Sequence, residues 1–149
     1  MSEAGDFDLA AHLAYLQAEL VAARTTPLSS RQALLVAMLI DAYADRLFAA
    51  QSEADDILSF RAGLAGGSPA LALVFDLAAG RARLVTEAVK VPVADYGALS
   101  VQDFMVSLYN GHTVQRVLAM GADGARHDVH RVLREAVGAL TPFPARRMP

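Results

Sequence analysis

Apolar residues recur at helical spacing up to about Leu64 and then alternate along Leu71, Leu73, Phe75 and Leu77. A period near 3.6 followed by a period of 2 predicts helices packed on a small antiparallel sheet, an α+β class, with an all-α bundle as the alternative. The first helix is expected from about Asp6 to Arg24, with Leu9, Leu13, Leu16 and Leu20 on one face and acids in its first turn; Thr25-Thr26-Pro27 stops it. Ser29-Ser30-Arg31-Gln32 opens the second helix, because a cap serine and a glutamine three residues on can satisfy two orphan amide donors reciprocally. This helix runs to about Leu64, with a second capping-box pattern, Ser52-Glu53-Ala54-Asp55, marking a kink or restart, and Gly66-Gly67 ending it. Its first half is apolar on two sides: Val36, Ile40, Tyr43 and Leu47 form one stripe, while Leu34, Met38 and Phe48 form another. Such a helix is central to the core or lies between subunits.

Residues 69–92 fit two patterns. Leu71, Phe75, Ala78, Ala82, Val85 and Val89 would line a helical face behind a Ser68-Pro69 start, but Asp76 and Gly80 are ordered as in a hairpin loop, and Arg83 to Val93 is rich in β-branched residues. A hairpin is the preferred reading. Ser100 to Met120 breaks phase at Asn110-Gly111: Val101, Phe104, Met105 and Leu108 share a face, whereas Val114, Val117 and Leu118 fall largely opposite. A helix therefore ends at a left-handed Gly111, and Val114 to Met120 forms a third strand. After turn residues Gly121-Ala122-Asp123-Gly124, a last helix from about Ala125 presents Val129, Val132, Leu133, Ala136, Val137 and Leu140 to the core, and Thr141-Pro142-Phe143-Pro144 stops it. The expected order is α-α-β-β-α-β-α: two N-terminal helices, then a three-stranded antiparallel sheet with two further helices, in one domain over 1–149 with a loosely ordered tail from about 141.

Composition narrows the function classes. The chain of 149 residues is 54% apolar and only 19% charged, which leaves little charge to cover a monomer and points to apolar surface that meets a partner. Without cysteine there is no disulfide framework, thiol chemistry or thiolate metal site. The acidic start, Met1 to Asp8, is unlike a signal peptide, and the uncharged run from Ala62 to Phe75 is broken by Gly66-Gly67 and Pro69, so a cytoplasmic protein without a membrane span is expected. Arginine in place of lysine, with Lys90 the one exception, suits a GC-rich bacterial genome but says nothing about mechanism. Residues 1–65 carry nine acids against four arginines, while 66–149 carry seven against nine basic residues; the total of −3 argues against general nucleic-acid binding.

Three groups of residues could carry chemistry. Asp41 and Asp45 lie one turn apart among Leu34, Met38 and Phe48, as a metal or general-base pair would, or as a partly exposed or subunit-facing pair neutralised by an arginine; the second reading is preferred because acids are seldom buried unpaired. No Glu-x-x-His motif supports a di-iron bundle site. Tyr109 and His112 flank a helix-to-strand junction, where loops often display functional side chains, yet both residue types are commonly core or rim. Asp123, His127, His130 and Arg134 would fall within about 60° of one helix at about 100° per residue. Arg126, Arg131 and Arg134 repel a dication there, so an anionic ligand or acidic protein partner suits this stripe better than a metal, and a solvated face is the plainer alternative. No dinucleotide, P-loop, nucleophile-elbow or zinc-protease motif is present, and no cofactor is implied. The sequence thus leaves catalysis open. It favours a non-catalytic, self-associating binding or regulatory module, with a small-molecule-binding protein or metal-dependent enzyme as the alternative.

Overall fold

The computed structural model describes residues 2–51 and 56–141, and within its first helix side chains from Leu9 onward. The chain opens with α1 (Ser2–Thr25) and α2 (Ser30–Gln51), packed side by side. Ser29 caps α2 as expected, its hydroxyl accepting from the Gln32 amide at 3.0 Å, but the Gln32 side chain donates to Glu19 at 2.6 Å and so ties α2 to α1 instead of closing a capping box. The helical run does not continue to Leu64. A separate α3 (Ile57–Gly67) starts at Asp56, whose carboxylate accepts from Ser59 N at 2.7 Å; Ser52 to Asp55 lie outside the described residues.

A fourth helix, α4 (Pro69–Ala79), occupies the place of the expected first strand. Ser68 accepts from Leu71 N at 3.2 Å and Pro69 stands at the helix start, where its fixed φ costs nothing. Asp76 and Gly80, which resemble a hairpin loop, form the last turn and its left-handed cap: Gly80 has φ 81°, and the Asp76 carbonyl accepts from Arg81 N at 2.8 Å. Leu71, Leu73, Phe75 and Leu77 alternate in the sequence, but burial follows Ala70, Leu71, Val74, Phe75 and Leu77, with Leu73 only partly covered. In a run this apolar both periods coexist, and the caps decide between them.

The α+β class and the three-stranded antiparallel sheet are as expected. The sheet draws on β1 (Arg83–Lys90), β2 (Thr113–Met120) and β3 (Arg126–Asp128), in the spatial order β1-β2-β3. β1 and β2 pair in full register from Arg83 opposite Met120 to Lys90 opposite Thr113. β3 takes up residues expected at the start of the last helix: Gly121 to Gly124 reverse the chain, with Gly124 at φ 81°, and three residues pair back before α6 (Val129–Leu140) begins. Three residues are too few to display a period of 2.

Between β1 and β2 lie a 3-10 turn (Val93–Ala98) and α5 (Val101–Tyr109). Gly111 has φ 63° and ends this helix where the phase shift places its end. His112 follows with φ 65°, a left-handed conformation that costs a side-chain-bearing residue about 1–2 kcal/mol. Its backbone anchors the junction, because His112 N donates to Ser107 O at 2.8 Å and its carbonyl accepts from Val91 N at 2.8 Å.

The core lies between the helices and one sheet face. Leu16, Val36, Ile40, Tyr43, Leu47, Leu71, Val74, Val117 and Ala119 are buried there together with all six expected α6 residues. Each large side chain so buried stabilises the fold by about 1.5–3 kcal/mol. Strand alternation places Glu87, Arg116 and Arg126 on the opposite sheet face, where Arg126 pairs with Glu87 at 3.0 Å and Arg116 with Asp103 of α5 at 3.2 Å. Among the described residues no helix is long and apolar enough to cross a membrane. The tail expected from about 141 falls outside them beyond Thr141.

Candidate functional site

The aspartates of α2 are held by a third side chain. Arg61 of α3 donates through one guanidinium nitrogen to Asp45 at 2.8 Å and to the Asp41 carbonyl at 3.2 Å, and through the other to the Asp41 carboxylate. The same guanidinium lies 4.1 Å from the ring centroid of Phe75 on α4. Both carboxylates are therefore engaged in joining α2, α3 and α4. This is the arginine-neutralised pair weighed in the sequence, formed within one chain.

Tyr109 and His112 part company. Tyr109 is 83% exposed at the end of α5. The His112 ring lies 5.5 Å from Tyr96 of the 3-10 turn, and Tyr96 in turn meets Phe104 edge-on at 5.8 Å. His112 thus clips the 3-10 turn to the root of α5.

The group Asp123, His127, His130 and Arg134 does not form a helical stripe, because only its last two members are helical. Asp123 lies in the turn, accepting from Ala125 N at 3.0 Å, and His127 is on β3 opposite Ala119. These two line a groove of about 640 Å³ with Arg131, facing the carboxylates of Asp76 and Glu135. His130 turns toward the α1–α2 connection, its Nε2 lying 2.9 Å from Pro27 O, and Arg134 stands exposed on α6. The arginines that would supply positive potential also diverge, with Arg126 paired to Glu87. Among the described residues no three His, Asp or Glu side chains are grouped to hold a metal ion.

His12, which no sequence pattern singles out, sits between α1 and α2. Its Nε2 lies 3.0 Å from Leu39 O and its ring meets Tyr43 edge-on at 5.3 Å. Burial holds its pKa below the usual histidine value; the bond to Leu39 opposes this and the Arg46 charge reinforces it. A neutral ring donating from Nε2 fits this setting. Burial likewise raises the Tyr43 phenol, whose oxygen has no hydrogen-bond partner among the described residues. These groups lie within the helical core, where the pair reads as a packing contact.

The most unusual surface belongs to α5. At about 100° per residue, Phe104, Leu108, Val101, Met105 and Tyr109 span an arc of about 140°. Their exposures are 36, 50, 82, 50 and 83%, respectively. The side turned toward β2 is mixed: Ser107 is fully buried, its hydroxyl donating to Phe104 O at 2.7 Å, Asp103 reaches Arg116, and Val106, 42% exposed, lines a groove with Val114 and Arg116. The helix is amphipathic with its more apolar face outward, and the 3-10 turn adjoins it through Tyr96. The sequence shows this stripe but not its direction, since i, i+3, i+4, i+7 spacing is the same whether a helix faces core or solvent. No protein family, curated protein or solved structure matches the chain.

Proposed function

We propose that this chain is a non-catalytic, cytoplasmic protein-interaction module whose working surface is the outward face of α5 with the adjoining 3-10 turn. The observation that carries this reading is the orientation of α5, which buries Ser107 and leaves Val101, Met105 and Leu108 half or more in water. Contiguous apolar surface on this scale marks an interaction site. Helix-in-groove recognition uses the same i, i+3, i+4, i+7 anchors. The polar residues a catalytic site would need are dispersed: Asp41 and Asp45 are joined by Arg61, Tyr109 and His112 diverge, and Asp123 and His127 share a groove that His130 does not line.

The test is site-specific photo-crosslinking in living cells, with Met105 or, as a control, Arg134 replaced by a photoreactive residue. Position 105 should yield discrete protein adducts and position 134 none. Adducts absent from 105, or equal at both positions, would remove α5 as the working surface.

A further inference from the structure

Resting on that reading, we propose that the occupant of the α5 face is a second copy of this chain, docked α5 against α5 in an antiparallel, two-fold symmetric pair. Three observations select it. The first is area: the exposed parts of Val101, Phe104, Met105, Leu108 and Tyr109 amount to roughly 600 Å², most of the ~800 Å² per partner that a standard stable interface buries.

The second is charge. The stripe of Val101, Phe104, Met105, Leu108 and Tyr109 contains no ionisable group that is charged at neutral pH. The charges nearest in sequence are Asp103, which is paired with Arg116, and Asp95 in the 3-10 turn. A symmetric contact juxtaposes each patch with itself, so an apolar patch without like charges is what it requires. An acidic or basic partner would find no counter-charge on it. A membrane surface would find no basic fringe on this arm, since residues 91–115, which hold the 3-10 turn and α5, contain neither lysine nor arginine.

The third is shape and direction. One short helix of nine residues carries the stripe, with both aspartates toward its N-terminal end. An antiparallel crossing keeps the acids of the two copies apart and sets the N-terminus of each helix dipole beside the C-terminus of the other. In this arrangement Met105 lies nearest the two-fold axis, and Val101 of one copy meets Leu108 of the other.

The absence of cysteine makes the geometry directly testable. Met105→Cys in the full chain should form a disulfide-linked dimer under mild oxidation at low micromolar concentration, because a residue at the axis meets its own copy within disulfide reach. Leu58→Cys, exposed on α3, should remain monomeric by the same assay. Sedimentation equilibrium of the wild type should show a dimer, and Leu108→Lys should weaken it at least 100-fold while leaving the circular dichroism spectrum unchanged. Val101→Glu should do likewise, and Val101→Glu with Leu108→Lys in one chain should recover at least ten-fold of the loss by pairing across the axis.

A wild type that stays monomeric at several hundred micromolar overturns the proposal. So does a dimer that Leu108→Lys leaves intact, or a double variant no tighter than the single ones. If the purified chain is a monomer while photo-crosslinks at position 105 join it to a different protein, the interaction surface stands and the second copy is excluded.

Discussion

α2 and α5 both carry more apolar surface than one core contact needs, and they resolve it in opposite ways. On α2 the stripe of Val36, Ile40, Tyr43 and Leu47 is fully buried, and the second stripe is covered in part by the chain itself. Phe60 of α3 approaches Phe48 at 5.6 Å, and Arg61 spans Asp41, Asp45 and Phe75, leaving Leu34 and Met38 at 38 and 54% exposure. On α5 the cover is slighter: Tyr96 of the 3-10 turn meets Phe104 edge-on at 5.8 Å, while Val101, Met105, Leu108 and Tyr109 stay 50–83% exposed. Amphipathicity states that a face needs cover; the connections that follow the helix determine whether its own chain provides it.

The largest expected effect separates the two regions directly. Leu133→Ala in α6, where the side chain is fully buried, should cost about 3 kcal/mol in urea unfolding. Leu108→Ala should cost under about 1 kcal/mol when measured at concentrations too dilute for association, because half of Leu108 already lies in water. Equal costs would mean that α5 belongs to the core and that the contrast is false.

A smaller effect sharpens the account of α2. Arg61→Ala removes the cation facing Phe75 and leaves two aspartates one turn apart unneutralised, for a loss of about 1–2 kcal/mol. Arg61→Met, which restores apolar cover without charge, should lose less, and added salt should narrow the gap between the wild type and either variant. A loss equal in both variants and insensitive to salt would show that the ion pairs contribute nothing and that packing alone holds α3 to α2.

The smallest concerns the hinge of the α5 arm. A Cβ built on Gly111 has no neighbour within 4 Å, so Gly111→Ala carries only the strain of φ 63°, about 1 kcal/mol by thermal unfolding. A neutral result would place Gly111 outside the left-handed region and remove the reason α5 ends there.

What the sequence discloses follows from the length and redundancy of each signal. The α6 stripe repeats over six core positions, and the phase break at Asn110-Gly111 coincides with a glycine that can adopt positive φ, so both features are legible. The run from Leu71 to Leu77 satisfies two periods at once, and there the cap residues Ser68 and Gly80 outweigh the alternation. β3 has three residues and no period. Among the candidate site residues, the pairing of Asp41 and Asp45 with an arginine follows from the cost of unpaired acids, though the identity of Arg61 depends on a turn between α2 and α3 that spacing does not reveal. The outward direction of α5 is a tertiary fact, set by the pairing of its Asp103 with Arg116 of β2 and by the burial of its own Ser107.

The position of α6 in the chain has a consequence during synthesis. This helix supplies Val129, Val132, Leu133, Ala136, Val137 and Leu140 to a core shared with α1, α2 and α4, and His130 reaches Pro27 of the first connection. Yet it leaves the ribosome after every other described element. For several seconds, at roughly 5–20 residues per second, the nascent helices expose the cleft that α6 will fill. Until α6 emerges, the apolar faces of α1, α2 and α4 that it covers in the finished fold have no other described element to close over them.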